Sequence, residues 1–219
     1  RLRVKCDEHA KPETPILGFT GTGGAGKSSL IDELILRFLK TYAEKNIAIL
    51  SIDPTRRKTG GALLADRIRI NSLLNERVFF RSMATRMTAA STNSSIAEVL
   101  EVFKFMNFDA ILIETAGIGQ SDTEVTNFSD ICVYVMTSEY GSSSQLEKIA
   151  MFDYANYIVL NKSDKSGAFD AFKDIQKIYR NIHKKYDTTS GKLPIFLTNT
   201  RSFDNVEINK LFSDVFSYL

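Results

Sequence analysis

Residues Gly21–Ser28 read G-T-G-G-A-G-K-S, directly after the apolar run Pro15–Thr20 and before a stretch with helical spacing. Glycines let successive backbone N–H groups converge on one point, forming a nest for an anion. The start of a helix adds unbonded N–H groups and the positive end of its dipole. This spacing between a strand and a helix therefore predicts a phosphate loop. Gly23, Gly24, Ala25, Gly26, Lys27, Ser28 and Ser29 are its nucleotide-binding residues. Lys27 would neutralise the β- and γ-phosphates, and the Ser28 hydroxyl would face Mg²⁺.

A second motif is Asn161-Lys-Ser-Asp164, N-K-x-D, at the end of an apolar run. The Asp164 carboxylate can accept hydrogen bonds from guanine N1–H and the 2-amino group. Adenine offers no such pair of donors, and a site built for donors rejects a base that leaves its carboxylate unpaired. Asn161 and Lys162 would brace the phosphate loop and cover the base. After the last strand, Thr198, Asn199 and Thr200 stand where backbone groups would meet guanine O6, on position alone.

Carboxylates at strand ends supply the remaining chemistry. Glu114-Thr-Ala-Gly117 occupies the position where P-loop GTPases carry D-x-x-G, with Glu in place of Asp. Such an acid orients Mg²⁺ or its bound water, and the Gly117 amide would touch the γ-phosphate. Gln120, in the following run, either orients the attacking water or is a simple loop glutamine. Asp53, at the end of a strand, is placed for the Mg²⁺ shell or for an Asp-Pro turn. Asp66 follows thirteen residues later beside Arg67 and Arg69, as a further candidate for the site or as a partner in an ordinary surface ion pair.

These residues need a scaffold that brings strand ends together. Apolar β-rich runs occur at Ile16–Thr20, Ile47–Ile52, Val78–Met83, Ala110–Glu114, Ile131–Thr137, Tyr157–Asn161 and Pro194–Thr198. Most are continuous rather than alternating, as in strands covered on both faces. Helical patterns lie at Lys27–Asn46, Ala62–Asn75, Ile96–Met106, Ser144–Ala155, Ala168–Lys185 and Val206–Leu219, and Met87–Ser95 reads as a polar surface loop. The alternation predicts a doubly wound, mostly parallel α/β sheet of the P-loop NTPase type, with ligands at the carboxyl ends of the strands. Residues 1–14 read as a charged lead-in and 15–219 as one domain.

Bulk properties narrow the partners. A formal charge of +2 over 219 residues, with no basic stripe carrying interleaved aromatics, gives no reason for a nucleic-acid partner. No apolar run reaches membrane-spanning length. Cys6 and Cys132 form no metal or redox pattern and fit a reducing cytoplasm. Cys132, in an apolar run, reads as a core residue. Thr22 stands where the deviant phosphate loop of partitioning ATPases carries its signature lysine, which argues against that branch.

The ordered set G-T-G-G-A-G-K-S, D-P, K-T-G-G-A-L-L-x-D-R-I-R, E-T-x-G-I-G-Q-S-D and N-K-x-D resembles the G-protein chaperone family of adenosylcobalamin-dependent acyl-CoA mutases. The similarity runs from about Ile16 to Leu219 and is nearest to the GTPase domain of fused isobutyryl-CoA mutases. It includes Tyr134–Gly141 and Gln145–Lys148. The resemblance implies a SIMIBI-type GTPase fold and slow, Mg²⁺-dependent hydrolysis of GTP to GDP and phosphate. That hydrolysis would gate cobalamin loading and protect the mutase. By position it implies Ser28, Asp53, Asp66 and Glu114 as the metal and water shell. Lys27, Asp66, Glu114 and Gln120 form the candidate catalytic set, and Glu139–Lys148 a third switch toward the mutase.

Adenosylcobalamin would reside only in the mutase domains, in the same polypeptide or in a separate subunit. A start at Arg1 and a stop at the last core helix suggest an excised domain of a fused mutase, and a homodimer stays open. Two alternatives share the fold: a metallochaperone GTPase, which should show Cys/His ligands near the switches, and a GTP-binding module with little turnover without its partner.

Overall fold

The computed structural model describes residues 14–54, 70–85, 89–115, 125–138, 151–184, 193–202, 204–217 and 219. Seven parallel strands form one sheet: β1 (Ile16–Gly21), β2 (Ile47–Pro54), β3 (Val78–Thr85), β4 (Ala110–Thr115), β5 (Ile131–Met136), β6 (Tyr157–Leu160) and β7 (Ile195–Leu197), in the order β3-β2-β4-β1-β5-β6-β7. Each strand falls on one of the β-rich runs of the sequence; β3, at the edge of the sheet, carries Arg81 and Ser82 within it.

The side-chain period of two sorts those runs between two cores. Ala48, Leu50 and Ile52 of β2 join Cys132, Tyr134 and Met136 of β5 on one face. Ile47 and Ile49 join Ile131, Val133 and Val135 on the other. Both faces are covered, so β1, β4 and β5 are buried at every position. Cys132 is a core residue.

Among the described residues, four longer helices complete the layers. Helices α1 (Lys27–Thr41) and α4 (Val206–Val215) bring Leu30, Ile31, Leu34, Ile35, Phe38, Ile208, Leu211 and Phe212 to one core. Helices α2 (Ala89–Phe105) and α3 (Ala168–His183) bring Ile96, Leu100, Phe103, Ile175 and Tyr179 to the other. No described helix is long and apolar enough to cross a membrane.

Several element bounds differ from the sequence reading. The polar stretch Met87–Ser95 is not a loop from Ala89 onward, because α2 begins there. Ala favours a helix and Ser, Thr and Asn are only weakly unfavourable in one, so the helix whose packed face begins at Ile96 can continue through them. The helix expected over Ala62–Asn75 does not run through its described end. Ile70 is extended, and Asn71–Leu74 form a single 3₁₀ turn held by Asp32. The rest of that expectation lies outside the described residues. Helix α1 stops at Thr41, where Tyr42 turns extended and the Arg77 guanidinium donates to the carbonyls of Leu39 and Tyr42. Helix α4 stops at Val215 rather than Leu219. Of the helix expected over Ser144–Ala155, residues 151–154 are helical.

Strand order reverses direction at β1, with β4 on one side and β5 on the other. The crevice at the carboxyl end of such a switch point is where open α/β sheets bind ligands. The turn after β1 is the G-T-G-G-A-G-K-S segment.

Candidate functional site

The phosphate loop is locked by sterics before any ligand is considered. Gly21 has φ 137°, and a Cβ there would lie 1.9 Å from the Val135 carbonyl oxygen. The chain turns this close to β5, and the Thr22 N–H donates to that same carbonyl at 3.2 Å. Gly26 has φ 90°, and its Cβ would lie 2.5 Å from Asn161 Nδ2. Only glycine fits at either point.

Gly26 leads into α1 without a side-chain cap, and the first turn of α1 holds no acid. The initial N–H groups and the dipole therefore have no built-in anion competing for them. Gly23, Gly24, Ala25 and Ser29 lie along this turn and the first residues of α1. The buried Lys27 ammonium donates to the carbonyls of Gly21 at 3.0 Å and Thr22 at 3.1 Å, across the mouth of the loop.

Beneath the loop, the Ser28 hydroxyl donates to Glu114 Oε1 at 2.7 Å. The two residues are 86 positions apart and meet because β4 lies beside β1, with Phe19 opposite Glu114. Glu114 is only 5% exposed. A hydroxyl and a carboxylate from neighbouring elements are hard oxygen donors, the set that suits Mg²⁺ beside phosphates. Among the described residues, no group of three or more His, Cys, Asp or Glu could hold a metal ion. Asp53 is the penultimate residue of β2, at the same edge of the sheet and opposite Ala84 of β3. Its side chain lies outside the described set, as do Asp66, Gly117, Gln120 and the segment Glu139–Lys148.

The N-K-x-D segment leaves β6 and turns onto the phosphate loop. Asn161 is fully buried. Its Nδ2 donates to the Ala25 carbonyl at 2.9 Å, while Oδ1 accepts from Thr198 Oγ1 at 3.2 Å and from the Thr200 N–H at 3.4 Å. One side chain thus joins β6, the phosphate loop and the turn after β7. Lys162, at φ 61°, donates from Nζ to the Gly24 carbonyl at 2.7 Å. Asp164 stands outward and half-exposed, with its Oδ2 3.9 Å from Arg201 Nη1. Asn199 spends its Oδ1 on the Arg201 N–H at 3.0 Å, which shapes the turn.

Two polar residues here escaped the sequence reading. Arg201 follows T-N-T without any motif to mark it. Asp32, buried on α1, accepts from the N–H groups of Asn71 and Ser72 and from the Asn71 amide. Its only signal is an acid set inside an apolar helical face.

A parallel sheet with a phosphate loop at its switch point and an N-K-x-D turn braced against that loop defines a P-loop nucleoside-triphosphate-binding domain of the SIMIBI GTPase type. The model of the family described as methylmalonyl Co-A mutase-associated GTPase MeaB matches residues 8–218, and the chain belongs to that family. Membership implies guanine-nucleotide binding.

The fused isobutyryl-CoA mutase of Geobacillus kaustophilus is 49% identical over 198 residues, covering 90% of this chain and 18% of that protein. This chain therefore spans less than a fifth of that relative's length. A putative GTPase of Pyrococcus horikoshii is 32% identical over 184 residues, covering 84% of this chain and 57% of its own. Among solved structures, a LAO/AO transport system kinase superposes with a TM-score of 0.70 at 17% identity, over 99% of this chain and 62% of that one. That likeness speaks for the fold.

Proposed function

We propose that this domain hydrolyses GTP to GDP and phosphate and uses its nucleotide state to gate cofactor loading and protect an adenosylcobalamin-dependent acyl-CoA mutase. The observation that carries the reading is the direct bracing of the N-K-x-D segment onto the phosphate loop, Asn161 to Ala25 and Lys162 to Gly24. The segment that would read the base and the segment that would hold the phosphates share one set of hydrogen bonds. A change of state at the phosphates therefore reaches the base-side turns without a long relay.

In this reading Lys27 neutralises the β- and γ-phosphates from across the loop. The helix N–H groups of α1 orient them, and Asp164 selects guanine. Ser28 and Glu114 would hold Mg²⁺, with Asp53 and Asp66 completing its shell; the ion would offset charge developing on the transferred phosphoryl group. Gly117 and Gln120 are assigned to the γ-phosphate and the attacking water. Mutase domains, whether in the same polypeptide or in another subunit, would hold the cobalamin. The similarity to the fused isobutyryl-CoA mutase of Geobacillus kaustophilus supports that partner.

The test is phosphate release from GTP and from ATP, with and without the mutase portion of a fused relative. GTP should be preferred, and the mutase should change the rate. Glu114→Gln should slow release about hundredfold while GDP affinity stays within about threefold, because the lost charge acts on the reacting phosphate rather than on ground-state binding. Equal turnover of ATP would sink the guanine assignment. A rate indifferent to the mutase would sink the gating role.

A further inference from the structure

We infer that Arg37 and Asn209 are positioning residues for base selection: they tie the turn after β7 to the phosphate-loop helix and so fix where that turn meets guanine. The inference rests on the guanine reading above. The turn stands beside the carboxylate assigned to the base, since Arg201 Nη1 lies 3.9 Å from Asp164 Oδ2. Most of its N–H groups are engaged in its own shape. Thr200 donates to Asn161 Oδ1, Arg201 to Asn199 Oδ1 and Ser202 to the Asn199 carbonyl. The Asn199 N–H has no partner among the described residues, and it is the donor this turn can offer to O6. Where that donor points depends on how both ends of the turn are held.

The first end is held by Asn161, through Thr198 and Thr200. The second end is held from α1. Asp204 Oδ1 accepts from Asn209 Nδ2 at 2.9 Å, and Asn209 Oδ1 accepts from Arg37 Nε at 2.6 Å. Arg37 is fixed on its own helix, donating from Nη1 to the Glu33 carbonyl and carboxylate. Asn209 thus uses both ends of its amide as a bridge. Arg37 lies ten residues after Lys27 on α1, about 15 Å along the helix. The same helix therefore presents its first turn to the phosphates and, through Arg37, sets the far end of the base turn.

The bridge is not needed to cap α4. Asn205 Oδ1 already accepts from the N–H groups of Glu207 and Ile208. What the bridge does hold is Asp204, at φ 54°. That left-handed conformation is costly outside glycine and persists where neighbours hold it in place. The Arg37 side chain is only 15% exposed, so its charged donor makes a strong bond to the Asn209 amide.

The experiment is calorimetric titration of this chain with GDP and with ADP, alongside thermal melting. Asn209→Ala should lower the preference for GDP over ADP about fivefold, with ADP affinity within about twofold, because the phosphate loop keeps its braces from Asn161 and Lys162. Arg37→Met should lower the preference by a similar factor. The double variant should be no worse than either single one, since both act along one chain of bonds. Asp204 separates positioning from stability. Asp204→Gly removes the acceptor but suits φ 54°, so melting should stay within about 2 °C of wild type while the preference falls. Asp204→Asn keeps an acceptor and tolerates the same backbone, and should keep the preference. A GDP-to-ADP ratio unchanged in Asn209→Ala, or a loss shared equally by ADP, overturns the inference and leaves the guanine reading standing. If Asn209→Ala does not fold, Asp204→Gly decides in its place by the same two criteria. A wild type that does not prefer GDP to ADP overturns the guanine reading and this inference with it.

Discussion

The two ends of the site are built by opposite means. At the phosphate end, the loop is pressed against buried groups of the sheet: Gly21 lies under the Val135 carbonyl, Gly26 against the Asn161 side chain, and the Ser28 hydroxyl against the buried Glu114 carboxylate. At the base end, Asp164 and Arg201 are exposed side chains on turns. A phosphate is recognised by many weak donors in one fixed array, so its site must be rigid before the ligand arrives. A base is recognised by a few directional contacts, which exposed side chains can make without disturbing the core. Substitutions should therefore separate cleanly. Changes at the phosphate end should cost the fold as well as binding, and changes at the base end should cost discrimination alone.

The largest break is expected at Gly21→Ala. The added Cβ would enter the Val135 carbonyl, and φ 137° is strained for any other residue. Strain and overpacking together should destabilise the domain by about 3 kcal/mol or more. Chemical denaturation would show this as a lowered midpoint at unchanged slope. A midpoint within error of wild type would mean that the turn is not sterically locked, and the contrast between the two ends would lose its basis.

Asn161 lies between the regimes, at the base side in sequence but fully buried against the phosphate loop. Asn161→Ala removes a donor to Ala25 and an acceptor for Thr198, leaving buried polar groups without these partners. A cost of about 2–3 kcal/mol in stability is expected, with GTP and ATP affinity falling by a similar factor. Thermal melting with and without each nucleotide measures both. A loss confined to GTP would move Asn161 to the base-reading side of the comparison.

The same division decides what could be seen in the sequence. The seven strands were legible because a parallel sheet covered on both faces needs unbroken apolar runs, and few other structures do. The phosphate loop was legible because its geometry is local, with glycines, lysine and serine within eight positions. Lys162 and Asn161 were legible as a short motif. The start of α2 was not legible, since Ser, Thr and Asn carry little helical preference, two alanines alone do not mark a helix, and the apolar face begins only at Ile96. The direct bond from Ser28 to Glu114 depends on β4 lying beside β1, a fact of topology spread over 86 positions. Arg201 sits on a turn whose shape comes from its neighbours, and Asp32 shows only as an acid set inside an apolar helical face.

Asp164→Ala is expected to have the smallest effect on the fold and a selective effect on binding. Its side chain is 40% exposed, and its pairing with Arg201 is long, so stability should stay within about 0.5 kcal/mol of wild type. Loss of two acceptors for the base should weaken GDP by about tenfold to a hundredfold. ADP, which has no donor pair to lose, should be nearly unaffected. Parallel titrations with both nucleotides, alongside a denaturation curve, read all three quantities. If the variant unfolds as readily as Asn161→Ala, the base end shares the structural burden of the phosphate end. If GDP and ADP fall together, Asp164 acts through the loop it adjoins rather than on the base.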